Sequence, residues 1–108
     1  MTVRQFADRY GLRIYCMPDG DREIKGGYAG DLLSWVMGHL RADLAWVTIM
    51  SNVNIVAVAA LADPSCIILS EGVSPDADVI AKAIENGVNV LGSGQDTFSV
   101  CKTLASIL

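Results

Sequence analysis

The chain has 108 residues, enough for one domain around one core, and a composition of 52% hydrophobic and 19% charged residues excludes a disordered chain. The formal net charge is −4, and the 8 basic residues are scattered among 12 acidic ones, which argues against nucleic-acid binding through a basic surface. The longest apolar run, Ile55 to Ala62, is too short to cross a bilayer, and three widely spaced cysteines without a CxxC support neither a disulfide framework nor a zinc site.

Residues 1–11 carry Arg4, Asp8 and Arg9 in an amphipathic pattern, so no signal peptide is read there. A reduced, cytoplasmic setting is expected, with no membrane or nucleic-acid partner. The apolar surplus in so small a domain points to a subunit interface.

Thr2 and Gln5 have capping-box spacing, and Val3, Phe6, Ala7 and Tyr10 share one helical face that Gly11 terminates. Leu12 to Met17 reads as a short strand and Pro18 to Asp21 as a turn, with Arg22 to Lys25 a second extended piece. In the stretch Lys25-Gly26-Gly27-Tyr28-Ala29-Gly30-Asp31, three glycines fall within five residues ahead of an amphipathic run. A glycine turn feeding a helix start would present free N–H groups at the positive end of a dipole, which suits an anion. A tight turn with no ligand accounts for the same residues, and the pattern is neither a GxxxxGK[ST] loop nor a clean GxGxxG.

Asp31 is read as the cap of the next helix, whose apolar face is Leu32, Leu33, Val36, Met37 and Leu40. His39 sits in its last turn, where interaction with the dipole or solvent suffices. Ala45 to Met50 is a buried central strand. Asn54 to Asp63 mixes β-branched residues with alanines. It is assigned to a helix, because the strand Cys66 to Ser70 follows and a parallel crossover needs one. That helix is apolar all round and therefore expected to be covered on a second side by a partner subunit. Ser74-Pro75-Asp76 opens another helix with Val79, Ile80, Ala83 and Ile84 inward and Gly87 at its end. Val88 to Leu91 is a strand and Gly92 to Gln95 a loop. Asp96 caps a last helix that would bury Phe98, Cys101, Leu104, Ala105 and Leu108.

The alternating order implies an α/β fold, three layers α/β/α with a mostly parallel sheet of four to five strands. Ligands of such sheets bind at the carboxyl ends of the strands. The segments placed there are the glycine stretch, Thr48 with Ser51 to Asn54, Ser70 to Gly72, and Ser93 to Thr97. They are small, polar and donor-rich, better suited to a phosphate or nucleotide than to an apolar ligand. Singly, Asn54, Asp96 and Ser74 are ordinary caps, and Gly92 and Gly94 ordinary turn residues. No catalytic set emerges. There is one histidine and no Ser-His-acid or metal-ligand grouping. Lys25 lacks a Walker context, capping explains Asp31 and Glu71, and Cys66 and Cys101 look buried.

The segments GGYAGDLLSWVMG and WVTIMSNVNIVAVAALADPSCIILSEG resemble the DRTGG domain family from about Arg22 to the C-terminus. The resemblance implies an α/β fold like the N-terminal domain of HPr kinase/phosphorylase, and a regulatory role as in pyrophosphatases that also carry CBS domains. Short stand-alone members look closest. The family's naming motif falls on Glu23 to Gly27, where only the two glycines match, and Asn52 stands where many relatives have histidine. The kinase catalytic domain has no counterpart, so kinase activity is not implied. What the resemblance does imply is an adenine nucleotide bound near a dimer interface, touching Gly26, Gly27, Gly30, Asp31, Thr48 and Asn54. With Lys25, Asn52, Ser93 and Gly94 these form the expected ligand-binding set. The expected protein is a non-catalytic, ligand-sensing homodimer with no cofactor beyond such a nucleotide, acting on a partner enzyme. Competing readings are an assembly protein without a small-molecule ligand and, last, a small enzyme using Lys25, Asp31 or Glu71.

Overall fold

A computed structural model describes all residues, Met1–Leu108. The helices are α1 (Val3–Tyr10), α2 (Leu33–His39), α3 (Asn54–Ala62), α4 (Val79–Glu85) and α5 (Thr97–Ala105). The strands are β1 (Arg13–Cys16), β2 (Gly26–Ala29), β3 (Leu44–Thr48), β4 (Cys66–Leu69) and β5 (Val90–Gly92). They form one sheet in the order β1-β5-β4-β3-β2, parallel except for β1, which runs antiparallel to β5. The three-layer α/β/α architecture read from the alternating pattern is the one observed.

Interior strands of such a sheet have two buried faces and need apolar side chains on both. Cys66, Ile67, Ile68 and Leu69 of β4 are all fully buried. Trp46, Ile67, Leu69 and Val90 face a core closed by Val36 of α2, Ile55, Val56 and Ala59 of α3, and Val79 and Ala83 of α4. Ala45, Val47, Cys66, Ile68 and Leu91 face the other core, closed by Val3, Phe6 and Ala7 of α1 and Val100 and Leu104 of α5. The helix assigned to the ambiguous Asn54 segment exists, because it is the crossover between parallel β3 and β4. Asn54 is the first helical residue rather than the cap, which is Val53 without a side-chain hydrogen bond, and the Asn52 side-chain oxygen accepts the Asn54 N–H at 2.9 Å. The Thr2/Gln5 capping box forms in full, and Gly11 ends α1 with φ +63°.

Several expectations are corrected. The glycine stretch is not a turn: Gly26 to Ala29 is the outermost parallel strand, in register with Leu44 to Val47. None of Gly26, Gly27 and Gly30 has positive φ. At Gly26 and Gly27 a side chain would run into a neighbouring leucine. A Cβ at Gly26 would lie 2.7 Å from Leu44 Cδ2, and one at Gly27 2.6 Å from Leu104 Cδ2. Asp31 does not cap α2, whose N-cap is Leu32 without a side-chain hydrogen bond, because its carboxylate is engaged by β3 instead. The Ser74-Pro75-Asp76 start is displaced to Val79. The Asp76 N–H donates to the Ser51 carbonyl at 2.9 Å, which holds this stretch on the neighbouring loop. Leu32, Met37, Ile84, Phe98, Ala105 and Leu108 are exposed rather than buried, since α2, α4, α5 and their flanking residues keep one side uncovered.

Candidate functional site

The parallel register places Gly30, Asp31, Thr48, Asn52, Asn54, Ser93 and Gly94 at or beyond the carboxyl ends of β2, β3 and β5. Lys25 and Gly26 lie at the opposite end of β2, and Gly27 lies within it. The ten expected ligand residues therefore divide between two ends of the sheet.

At the amino end, Arg22 gathers the chain. Its Nε and Nη2 donate to Asp43 Oδ1 at 3.2 and 3.0 Å, and Nη1 donates to Asp63 Oδ1 at 2.6 Å. Asp43 and Asp63 both have left-handed backbones, with φ +67° and +62°. The hydrogen bond to Asp63, and then that to Asp43, holds the Arg22 guanidinium above its ordinary pKa. Lys25 Nζ adds a longer pair to Asp43 at 3.7 Å. The acids here neutralise these cations, which leaves this end poorly suited to an anion.

At the carboxyl end the polar groups bind one another. Thr48 Oγ1 and the Ile49 N–H donate to Asp31 Oδ1 at 2.8 and 2.9 Å. Trp46 Nε1, on a fully buried side chain, donates to the Gly30 carbonyl at 2.9 Å. The loops after β4 and β5 are stitched by the Glu71 N–H to the Gln95 carbonyl at 2.7 Å and the Gly72 N–H to the Ser93 carbonyl at 2.9 Å. A helix N-terminus attracts anions, but that of α5 already has two carboxylates. Glu71 accepts the Thr97 N–H at 3.0 Å and Asp96 accepts the Ser99 N–H at 3.3 Å. The bonds from Ser99 hold the Asp96 carboxyl below its usual range.

A cleft of about 510 Å³ opens beside these loops, where antiparallel β1 brings its first residue level with Gly92. Tyr10, Arg13, Tyr15, Ser93, Gly94 and Gln95 line it. The Arg13 guanidinium lies 5.2 Å above the Tyr15 ring, and that ring covers Gly92, where a Cβ would meet it at 2.6 Å. Ser93 and Gly94 were expected at a site. Tyr10, Arg13 and Tyr15 were missed, because β1 was not expected to turn back antiparallel against the last strand. The alternation of Arg9, Tyr10, Arg13 and Tyr15 around Gly11 was the available signal.

Burial pushes the Cys66 thiol up to about 12, and burial also raises Cys16 and Cys101. No group of three or more His, Cys, Asp or Glu side chains is positioned to hold a metal ion. His39 is held by its Nδ1 against the Trp35 carbonyl at 2.7 Å and stacks on the Trp35 ring at 4.4 Å. No helix is long and apolar enough to cross a membrane.

A comparison with curated proteins finds no match. Among solved structures, the chain is similar to the CBS and DRTGG domains of the regulatory region of Clostridium perfringens pyrophosphatase, complexed with its activator diadenosine tetraphosphate. The TM-score is 0.68 at 13% identity, over 95% of this chain and 47% of that one, so this chain spans about half of that neighbour's length. The family model of the DRTGG domain matches residues 29–107. The match begins inside β2, so the segment Glu23 to Gly27 expected to carry the naming motif lies outside it. With most of its length matched, the chain belongs to the DRTGG domain family.

Proposed function

We propose that the chain is a non-catalytic regulatory domain that senses a nucleotide or another phosphate-bearing small molecule at the carboxyl end of its sheet. The observation that carries this reading is family membership together with a neighbour of the same fold, a regulatory region complexed with a dinucleotide activator. Of the expected set, Gly30, Asp31, Thr48, Asn52, Asn54, Ser93 and Gly94 lie at that end, and Ser93 and Gly94 line a cleft there. Lys25, Gly26 and Gly27 are assigned to packing and to the amino-end ion pairs.

The domain acts as a homodimer. In support, β2 is an uncovered edge strand. On one side of it α5 and its C-terminal flank expose Phe98, Ala105 and Leu108, and on the other Leu32 and Trp35 are exposed at the start of α2. A second copy covers this margin, and ligand binding shifts the monomer–dimer equilibrium. A partner enzyme covering the same margin is the other reading that these exposed side chains favour.

Sedimentation equilibrium with and without 1 mM ATP, on the order of typical cellular ligand scales, tests the sensing. The expected result is a dimer whose dissociation constant changes by about fivefold or more with nucleotide. A strict monomer in both conditions removes the homodimer.

A further inference from the structure

We infer that the cleft between the end of α1, the start of β1 and the β5–α5 loop is a nucleotide polyphosphate site. Arg13, with Lys102 in the adjoining depression, takes the phosphates, and the Tyr10 and Tyr15 rings take the base. The inference rests on the reading of the chain as a nucleotide-binding domain and moves the site to residues outside the expected set.

Charge carries it first. Of the 8 basic side chains, Arg4, Arg22, Lys25 and Lys82 are paired with acids, which leaves Arg9, Arg13, Arg41 and Lys102 without an acidic partner. Three of these four gather around Tyr10. Arg9 Cζ lies 5.6 Å from the Tyr10 ring, Arg13 shares the cleft with it, and Lys102 shares the adjoining depression. No acidic side chain lines either hollow. The nearby carboxylates of Glu71 and Asp96 are bound to the first turn of α5, and Asp8 lines the hollow on the far side of Tyr10 together with Arg9, which leaves Arg13 and Lys102 facing no acid. In a chain of net charge −4, an unneutralised basic cluster of this kind attracts an anion.

The lining fits the same ligand. A guanidinium stacked on a ring is held in place with its N–H edge free, which suits bidentate contact to phosphate. Gly94 and Ser74 line the cleft, and their N–H groups have no acceptor in the protein. They add fixed donors beside the hydroxyls of Ser93 and Thr103. Phe6, Tyr10 and Tyr15 supply the apolar and aromatic wall that a base requires. A volume of about 510 Å³ lies within the range of about 300–1,000 Å³ usual for small-molecule sites.

The test is calorimetric titration of the full chain with ATP, AMP, adenosine and inorganic triphosphate, using wild type, Arg13→Gln and Lys82→Gln. Lys82→Gln removes the same charge on α4, away from the cleft. ATP is expected to bind more tightly than AMP or adenosine. Arg13→Gln is expected to weaken ATP at least about tenfold, the scale of one charge-assisted hydrogen bond, and Lys82→Gln to leave it unchanged. If wild type binds ATP and Arg13→Gln binds it equally well, the cleft is not the site, although the chain still binds nucleotide. If wild type binds none of the four, both readings fall. Amide chemical-shift mapping with ATP is independent of any variant's folding. Shifts at Gly11 to Arg13, Ser74, Gly94 and Gln95 support the cleft, and shifts confined to Gly30 through Asn54 overturn it.

Discussion

Replacing Gly27 with valine separates a packing role for the glycine stretch from a ligand-binding role. In isolation the change favours the strand, since valine is preferred over glycine by up to about 1 kcal/mol in β-structure. Against that, the new Cβ would lie 2.6 Å from Leu104 Cδ2. Leu104 is only 4% exposed and packs with Val47 and Val100 beneath α5, so its methyl can retreat only by disturbing that core. Overpacking of a filled core costs about 1–3 kcal/mol, which outweighs the propensity gain. A net loss of about 1–2 kcal/mol is expected, and at about 4 °C per kcal/mol for a domain of this size Tm falls by about 4–8 °C. Urea and thermal denaturation of Gly27→Val, Leu104→Ala and the double variant measure it. Leu104→Ala alone should cost about 2–4 kcal/mol. In the double variant the valine fills part of the vacated space, so the two losses should fall short of additivity by about 0.5 kcal/mol or more. A Gly27→Val protein as stable as wild type, with strictly additive losses, would refute the packing role. If that stable protein also lost nucleotide binding, the glycine would be a ligand contact.

Asn89→Ala should be among the most damaging polar substitutions. The buried Asn89 amide accepts the Asp19 N–H at 2.9 Å and donates to the Asp19 and Ser65 carbonyls at 2.8 and 2.9 Å. Losing all three should lower stability by about 2–3 kcal/mol in urea titration. Stability should also decline above pH 9, on the order of 1 kcal/mol by pH 10. The Cys66 thiol, pushed up to about 12, keeps its proton in the folded state while the unfolded chain gives it up from its ordinary value. This contribution is complete below the unfolded pKa and is lost as pH rises toward the folded one, so Cys66→Ala should flatten the alkaline slope. Identical slopes would contradict it. Phe98→Glu, at an exposed position, should leave Tm within a few degrees of wild type and abolish self-association in sedimentation. Unchanged association would move the interface away from the β2 margin.

Much of the fold was legible because its signals are local. Thr2 with Gln5, Gly11, and Asp96 before the last helix are caps whose chemistry acts within a turn, and each forms as read. The helix at Asn54 came from connectivity, since parallel strands as close as β3 and β4 require a crossover. The failures are non-local. Whether Gly26 and Gly27 form a turn or a strand depends on Leu44 and Leu104, and Leu104 lies far along the chain. Asp31 has ideal cap chemistry, but the Thr48 hydroxyl and Ile49 amide of a neighbouring strand capture its carboxylate. Phe98 and Leu108 follow a helical period yet face outward, because the edge strand β2 is too narrow to cover both sides of α5. At the site, Ser93 and Gly94 could be placed at a sheet end, whereas Arg13 joined them only through the reversal of β1.

Ligand binding itself is tested most directly by a thermal-shift panel of the purified chain against adenine and guanine nucleotides, dinucleoside polyphosphates, inorganic triphosphate and phosphate. A ligand at about 100 times its dissociation constant adds about 2.7 kcal/mol, which for this domain is a rise of about 10 °C or somewhat more. The expected result is a selective rise with polyphosphate-bearing nucleotides. A panel flat at millimolar concentrations would contradict a nucleotide-sensing domain and leave the uncovered β2 margin as the functional surface.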